Sequence, residues 1–404
     1  METLVLGVGA AGNKAVIAAL ENGIIDESHA KLLNTTISDI PEKYKNTDVI
    51  MKFSSGLGGC GKEPSKGKKA IFTAITTHEV EFGSIVPIGT KQVAIVTSTE
   101  GGTGSGATPV IAKYFEAMNL PVHIFAFIGF QDEARGINNT LNFFKELSSN
   151  IILHTIQNDA FKDYTGNYTK AEEAANEEFA AQLEILIGSK MIPSSQNIDD
   201  TDHYKIATTP GYMDIKHIDL TGMKNTEMVD KAIISIFENG NNLDYTASCK
   251  RLAIIINAGQ KIQDAIDEQF KVIKRYTGEP FEIYRHIQNN NDTDYMDIIV
   301  SGLAYPEKSI IDMNAKYTSI KNKLNASTKG FDEIFADMNM DDDEDEFNMD
   351  VRTINKPSDA ESIFSSLVNI DQPKRSSIMS GDETIKSSST TKTTKVIRNI
   401  VEEY

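Results

Sequence analysis

Cysteine, cationic charge and long apolar runs are all scarce in this sequence, and each shortage excludes a class of protein. There are two cysteines in 404 residues, Cys60 and Cys249. A single distant pair makes no disulfide framework, and no CxxC metal pattern is present, so a reducing compartment is the default expectation. No stretch approaches about 18 apolar residues, the length needed for a membrane-spanning helix. The opening METLVLGVGAAG has no cationic flank and too short an apolar run for a secretory signal. Lys and Arg number 40 against 58 Asp and Glu, a net charge of −18. A chain this acidic has no global electrostatic reason to coat nucleic acid, so a DNA role would run through a local basic segment or an adaptor. No internal repeat is visible. These shortages together predict a soluble cytoplasmic protein with no direct membrane contact and little direct nucleic-acid binding.

What is present is a chain of 40% hydrophobic content, long enough for about two domains and a tail. Residues 3–9 read as a buried strand entering a glycine turn, and 12–23 as a helix with Ala15, Val16, Ala19 and Leu20 on one face. Apolar runs at 31–33, 92–97 and 122–128 alternate with helical patterns at 107–118 and 138–147, which predicts a parallel sheet covered on both faces. A longer helix is expected over 169–192. Strands at 251–257, 281–287 and 295–303 follow, with helices at 226–238, 260–276 and 309–324. After about residue 330 the composition shifts: 341–346 is an unbroken acidic run and 376–394 is crowded with Ser, Thr and Lys, the signature of disorder.

The segment that carries most chemistry is Thr99-Glu100-Gly101-Gly102-Thr103-Gly104-Ser105-Gly106-Ala107, set between a strand and a helix. Glycines let backbone approach a polyphosphate closely. Successive amides and the following helix N-terminus then supply partial positive charge. The segment is no P-loop, since GK[ST] is missing, and no Rossmann GxGxxG. It resembles the signature loop of the tubulin and FtsZ superfamily, and Ala107-Thr108-Pro109-Val110-Ile111-Ala112 continues the likeness into the helix. The resemblance implies a GTP or GDP site, served by Mg²⁺, with Gly101, Gly102, Thr103, Gly104, Ser105 and Gly106 around the phosphates. Glu100 stands where the family's first glycine lies; a carboxylate there either turns outward or engages a metal.

Other segments extend the likeness. Gly9, Ala10, Ala11, Gly12 and Asn13 open the first helix as tubulin's Gly-Gln-Cys-Gly-Asn does. Asn34-Thr35-Thr36 is similar to FtsZ's Asn-Thr-Asp, with Thr36 in place of the carboxylate and Asp39 nearby to compensate. Gly56 to Pro64, including Gly58, Gly59, Cys60 and Gly61, resembles a second phosphate loop. Lys62, Lys66, Lys68 and Lys69 either lend it positive charge or form a solvated basic turn. Glu133 and Arg135 are implied at the ribose, where Gln131 replaces a family glutamate. Asn158 and Asn176 are implied at the guanine, where an amide offers donor and acceptor together. No protein metal ligand is assigned.

Asn197-Ile198-Asp199-Asp200-Thr201-Asp202 matches FtsZ's Asn-x-Asp-x-x-Asp. The resemblance implies that Asn197, Asp199 and Asp202 enter the nucleotide pocket of the next subunit, where carboxylates orient the attacking water. The competing segment Asp214–Asp219 alternates like a strand and places Lys216 where a carboxylate is needed, so it is set aside.

The implied fold is α/β: an N-terminal parallel-sheet GTP-binding domain (1–168), a long core helix (169–196), a C-terminal α+β GTPase-activating domain (197–330) and a disordered acidic tail (331–404). The final residues lack the proline and aromatic of FtsZ's tether peptide, and the chain looks more like the TubZ and phage-tubulin branch. That branch implies a GTPase that self-assembles head to tail and segregates or positions plasmid or phage DNA. The alternatives are an FtsZ-like division scaffold and a binding module without hydrolysis. The tail is either a solubilising appendage or a partner-binding element. In the second case 341–346 would meet a neighbouring filament, and Lys392, Lys395 and Arg398 a DNA-binding adaptor.

Overall fold

The computed structural model describes residues 1–327 apart from 55–57, 195, 239–247 and 291–292. The tail from 331 onward lies outside the described residues, as do Gly56 and Leu57 of the second glycine loop. Residues up to Asn322 belong to one compact unit; of a second unit that begins at Lys323, only the last few residues of a helix are described.

The chain opens with strand β1 (Thr3–Val8), buried at every position, and passes straight into helix α1 (Gly9–Glu21). Strands β2 (Ala30–Asn34) and β3 (Ile50–Lys52) precede helix α2 (Pro64–Thr76). Then β4 (Gln92–Ser98), α3 (Thr103–Ala117), β5 (Val122–Ile128), α4 (Ala134–Glu146) and β6 (Ile152–Gln157) alternate. Helix α5 (Asn158–Thr165) leads to the long α6 (Tyr168–Ile187) and the short α7 (Asp200–Ala207). The remainder is β7 (Gly211–Asp219), α8 (Thr226–Glu238), β8 (Arg251–Asn257), α9 (Gln260–Thr277), β9 (Glu282–Gln288), β10 (Tyr295–Leu303) and α10 (Glu307–Ser327).

One ten-stranded sheet runs through the unit in the order β3-β2-β1-β4-β5-β6-β7-β10-β8-β9. The first six strands are parallel, as the alternation of strand and helix requires. Strand β7 joins β6 through Gly211 and Tyr212, then leaves it to pair antiparallel with β10. Period-two alternation sorts β1 between two cores. Leu4, Leu6 and Val8 meet Val110, Ile111 and Phe115 of α3 on one face, whereas Val5 on the other joins Val16 of α1 and Phe179 of α6. Fully burying each such side chain stabilises by about 1.5–3 kcal/mol.

A polar chain crosses this sheet where an apolar one would be expected. Thr3 Oγ1 accepts from Gln92 Nε2 (3.0 Å), Gln92 Oε1 meets His123 Nε2 (3.0 Å), and His123 Nδ1 meets His154 Nε2 (3.0 Å). His154 also stacks on Phe125 at 4.1 Å between ring centroids. Burial pushes the His123 imidazole down to about 3 and His154 well below the ordinary histidine range, so both rings are neutral.

The expected helix starts need correction. Helix α1 begins at residue 9, α3 at 103 and α4 at 134, each three or four residues earlier than periodicity places it. The reason is that their first turns are glycine-rich or polar and carry no apolar stripe. The long helix stops at Ile187, because Gly188 adopts a left-handed cap (φ 71°) and donates back to Glu184 and Ile185.

Candidate functional site

The loops that follow β1, β2 and β4 all lie at one edge of the parallel sheet, and they converge on a cavity of about 300 Å³. Its lining comes from four places: Val8 to Ala11, Asn34 with Thr36 and Asp39, Gly58 to Gly61, and Ser98 with Gly101 to Gly104. The sequence-predicted phosphate residues Gly9, Ala10, Ala11, Asn34, Gly58, Gly59, Cys60, Gly61, Gly101, Gly102, Thr103 and Gly104 therefore share one cavity. Val8 and Ser98 line it too. They are the last residues of their strands, a position that spacing alone does not single out.

Close backbone approach explains the glycines. Gly9 sits at φ 77°, the left-handed turn by which β1 becomes α1 without a loop. A Cβ at Gly104 would lie 2.3 Å from Thr97 Oγ1, and one at Gly106 would lie 1.9 Å from the Pro64 carbonyl oxygen. Helices α2 and α3 thus touch backbone to backbone, which seats the 58–61 loop beside the start of α3.

Electrostatically the cavity floor is made of helix ends. Neither α1 nor α3 has a side-chain N-cap or an acidic residue in its first turn. Their free amides and the positive end of each macrodipole are left for an anionic ligand. No Lys or Arg is among the described lining residues. Three of the four lysines expected to add charge are engaged elsewhere, Lys62 with Glu133, Lys66 with Glu63 (2.9 Å) and Lys68 with Glu146 (3.1 Å), and Lys69 is exposed and does not line the cavity. Glu100 turns away, as one of its two expected alternatives requires. Its carboxyl packs where a Cβ on Gly129 or Gly136 would stand, with Oε1 buried and unpartnered. Burial raises its pKa, opposed by the Gln131 amide.

Other predicted residues support the cavity from outside. Gly12 abuts the Val96 carbonyl oxygen, 2.0 Å from where its Cβ would be. Asn13 is buried and donates to the Leu33 carbonyl (3.4 Å). Thr35 Oγ1 meets Thr103 Oγ1 at 3.4 Å, tying the second loop to the third. Ser105 Oγ donates to Gly101 O, and Gly106 makes the contact with α2.

The ribose and base candidates, Glu133, Arg135, Asn158 and Asn176, do not line this cavity. Glu133 and Arg135 are exposed at the start of α4, with Glu133 held by Lys62. Asn158 opens α5 with Oδ1 buried and unpartnered, and Asn176 is half-buried on α6.

Asn197, Asp199 and Asp202 lie elsewhere. Their segment runs into a helix: Asp199 is the N-cap of α7 and accepts from the Asp202 amide at 2.8 Å. Asp202 receives Lys205 Nζ at 3.5 Å. Asn197 and Asp199 are exposed and Asp202 is half-buried. Gly211, where β7 begins, pairs with Ile152 at the start of β6, so this segment sits at the sheet edge opposite the cavity. The 20 residues of α6 span the interval, a helix about 30 Å long.

With this geometry in place, the likeness to known proteins is specific. The Tubulin/FtsZ family, GTPase domain, matches residues 2–166. Cell division protein FtsZ of Aquifex aeolicus is 24% identical over 340 residues, 79% of this chain and 88% of that protein. Among solved structures, a GTPγS-bound protofilament of CetZ2 from Haloferax volcanii superposes with a TM-score of 0.63 at 18% identity, covering 80% of this chain and 99% of that one. A GTPγS-form protofilament of TubZ from Bacillus thuringiensis serovar israelensis gives 0.64 at 14%, covering 81% and 95%. The strand-to-helix glycine turns, the GTPase-domain match and the shared fold lead to one conclusion: residues 2–166 are a GTPase domain of the Tubulin/FtsZ family, whose members are GTPases that bind GTP and GDP.

Proposed function

We propose that this protein is a polymerising GTPase whose hydrolytic site is completed by a second copy of the chain. The observation that carries this reading is the separation just described. The glycine-lined cavity and the Asp199/Asp202 carboxylates occupy opposite edges of one sheet, with α6 between them. No side-chain movement closes such a gap. A head-to-tail neighbour does, since a heterologous contact sets one edge of the sheet against the opposite edge of the next copy. GTP sits with its phosphates on the α1 and α3 N-termini, accompanied by Mg²⁺. Asn158 and Asn176 take the base, and Glu133 and Arg135 approach the sugar. Asn197, Asp199 and Asp202 of the neighbour then orient the water that attacks the γ-phosphate. The protofilament forms of CetZ2 and TubZ support self-assembly of this kind.

The cellular role we assign is segregation or positioning of plasmid or phage DNA in a bacterial cytoplasm, through a DNA-binding adaptor on the tail. This role rests on the sequence's resemblance to the TubZ branch, and the adaptor on the basic residues Lys392, Lys395 and Arg398 of the tail. The sequence match to Aquifex FtsZ favours a second reading, a cell-division scaffold. Pull-down with residues 331–404 separates the two, since an adaptor bound to DNA and a membrane tether are different captures.

The mechanism is tested by phosphate release against protein concentration, with GTP and Mg²⁺, beside light scattering, for wild type and Asp202→Ala. Release that begins only where scattering rises, with a variant that scatters but releases at least about 100-fold less phosphate, is the expected result. Release that scales linearly from dilute protein and ignores Asp202 overturns it.

A further inference from the structure

Two of the loops that line the cavity, 58–61 and 101–104, are tied together by a side chain that belongs to neither. Asn139 lies on α4, buried at 5% exposure, and no motif marks it. Its Nδ2 donates to the Lys62 carbonyl (3.1 Å) and to the Glu100 carbonyl (2.9 Å). A primary amide carries two N–H donors, and here one goes to each loop. Both carbonyls stand beside cavity residues, since Gly61 precedes Lys62 and Gly101 follows Glu100.

The surroundings make this bridge a grip on both loops. Lys62 has a left-handed backbone (φ 57°), uncommon for a residue with a side chain, and such a conformation persists only where contacts hold it. The other link from α4 to Lys62, the ion pair with Glu133, is exposed and contributes little. One residue along α4, Thr140 Oγ1 meets Thr99 Oγ1 at 2.7 Å, both buried, so the same helix pins the start of the segment that leads to the 101–104 loop. The loops also touch directly, where a Cβ on Gly102 would lie 2.7 Å from the Cys60 Cβ. That contact sets how near they come but has no direction, whereas two donors in one amide plane fix both distance and angle. We infer that Asn139 is a positioning residue: it holds the two glycine loops at a fixed separation before any ligand enters, so that their amides converge on one polyphosphate. Its effect on affinity rests on the reading that the cavity holds GTP, and works by removing the ordering of the loops from what binding must supply.

The two cysteines of the chain read this out. Cys60 stands in the 58–61 loop and Cys249 just before β8, and both are buried and free. Nucleotide-free, full-length protein is alkylated with iodoacetamide, and each cysteine peptide is followed by mass spectrometry. Labelling of Cys60 reports opening of the loop, and labelling of Cys249 opening of the fold. Asn139→Asp keeps the side-chain shape but replaces both donors by acceptors. It should speed Cys60 labelling by about tenfold, the effect of losing two hydrogen bonds, and leave Cys249 unchanged. GTPγS affinity should fall by a similar factor. Asn139→Ala, which adds no charge, should do the same, whereas Asn142→Asp at an exposed position of α4 should change neither. Cys60 labelling at the wild-type rate in both Asn139 variants overturns the inference. So does acceleration of both cysteines together, since Asn139 then supports the fold as a whole, and so does an opened loop with undiminished GTPγS affinity. Labelling needs no nucleotide: if wild type fails to bind GTPγS, the proposed function and the effect on affinity fall, and the grip on the loops is still decided at Cys60.

Discussion

Two kinds of helix N-terminus meet the eye in this protein. Helices α1 and α3 begin bare, with no capping side chain and no acid in the first turn, and both open on the glycine-lined cavity. Helix α7 begins saturated: Asp199 caps it and Asp200 and Asp202 fill its first turn. An exposed helix start ordinarily recruits Ser, Thr, Asp or Asn and nearby carboxylates, because its amides need acceptors. Helix α7 obeys that preference. Helices α2, α4 and α9 also begin uncapped and without a first-turn acid, but the bare starts of α1 and α3 both open on the cavity, where an anionic ligand would supply the missing acceptors. The difference separates a surface built to receive negative charge from one built to present it, at opposite edges of one sheet.

The bare half depends on backbone contact, so it should break most severely when that contact is blocked. Gly106→Ala places a carbon 1.9 Å from the Pro64 carbonyl oxygen, where no side-chain rotation relieves it. Overpacking of this kind costs about 1–3 kcal/mol, and the upper part of that range is expected. Urea denaturation should show the loss, and GTPγS affinity should fall with it as α2 and the 58–61 loop are pushed from α3. Unchanged stability together with unchanged affinity would show that the two helices part without consequence, and that their close packing does not shape the cavity.

The same half rests on a sheet crossed by His123 and His154, both neutral and buried. Their pKa values are depressed in the folded state, to about 3 for His123, so the unfolded chain binds the extra protons. The sign follows: stability is full above the ordinary histidine value of about 6.5 and falls as pH drops toward the folded values. Each imidazole should remove about 1.4 kcal/mol per pH unit below that point. Urea midpoints at pH 7, 6 and 5 check this, and a flat profile over that window would mean that the polar chain opens to solvent and titrates normally.

Much of this architecture is legible in the sequence, and the residues explain why. Strand β1 is a nearly continuous apolar run entering a glycine turn, and α3 follows a strand through a glycine-rich segment, so the role of both in a phosphate-facing turn can be read directly. The long α6 is visible through Phe179, Leu183 and Leu186. Less legible are elements whose pattern is interrupted. Strand β6 carries His154 and Thr155 amid its apolar residues, α2 begins Pro-Ser-Lys-Gly-Lys-Lys, and β3 is three residues long. Within the site, motif likeness groups Gly12, Asn13 and Gly106 with the phosphate residues, but their contacts are with Val96, Leu33 and Pro64. A motif records which residues recur together and not which of them face the ligand. Asp39 shows the converse. No periodicity marks it; its nearness to Thr36 in the sequence suggests it as a compensating carboxylate, and the path of the loop after β2 brings it to the cavity wall.

The saturated half offers the finest distinction, because Asp199 holds two positions at once. It caps α7 through the Asp202 amide, and its carboxylate is one of those proposed to act on the neighbour's nucleotide. Asp199→Ala removes both the cap and the charge. Asp199→Asn removes the charge and keeps a side-chain oxygen that caps equally well. The alanine variant should lose about 1 kcal/mol of stability and the asparagine variant only a few tenths. If the carboxylate works on water, GTP turnover should fall in both variants alike, with filaments still forming in the asparagine one. If turnover survives in Asp199→Asn and falls only in Asp199→Ala, what matters is the shape of the helix start, and the chemistry passes to Asp202, whose amide that cap holds in place. The two variants differ by one side-chain amide group, so their divergence or agreement assigns the residue to structure or to catalysis.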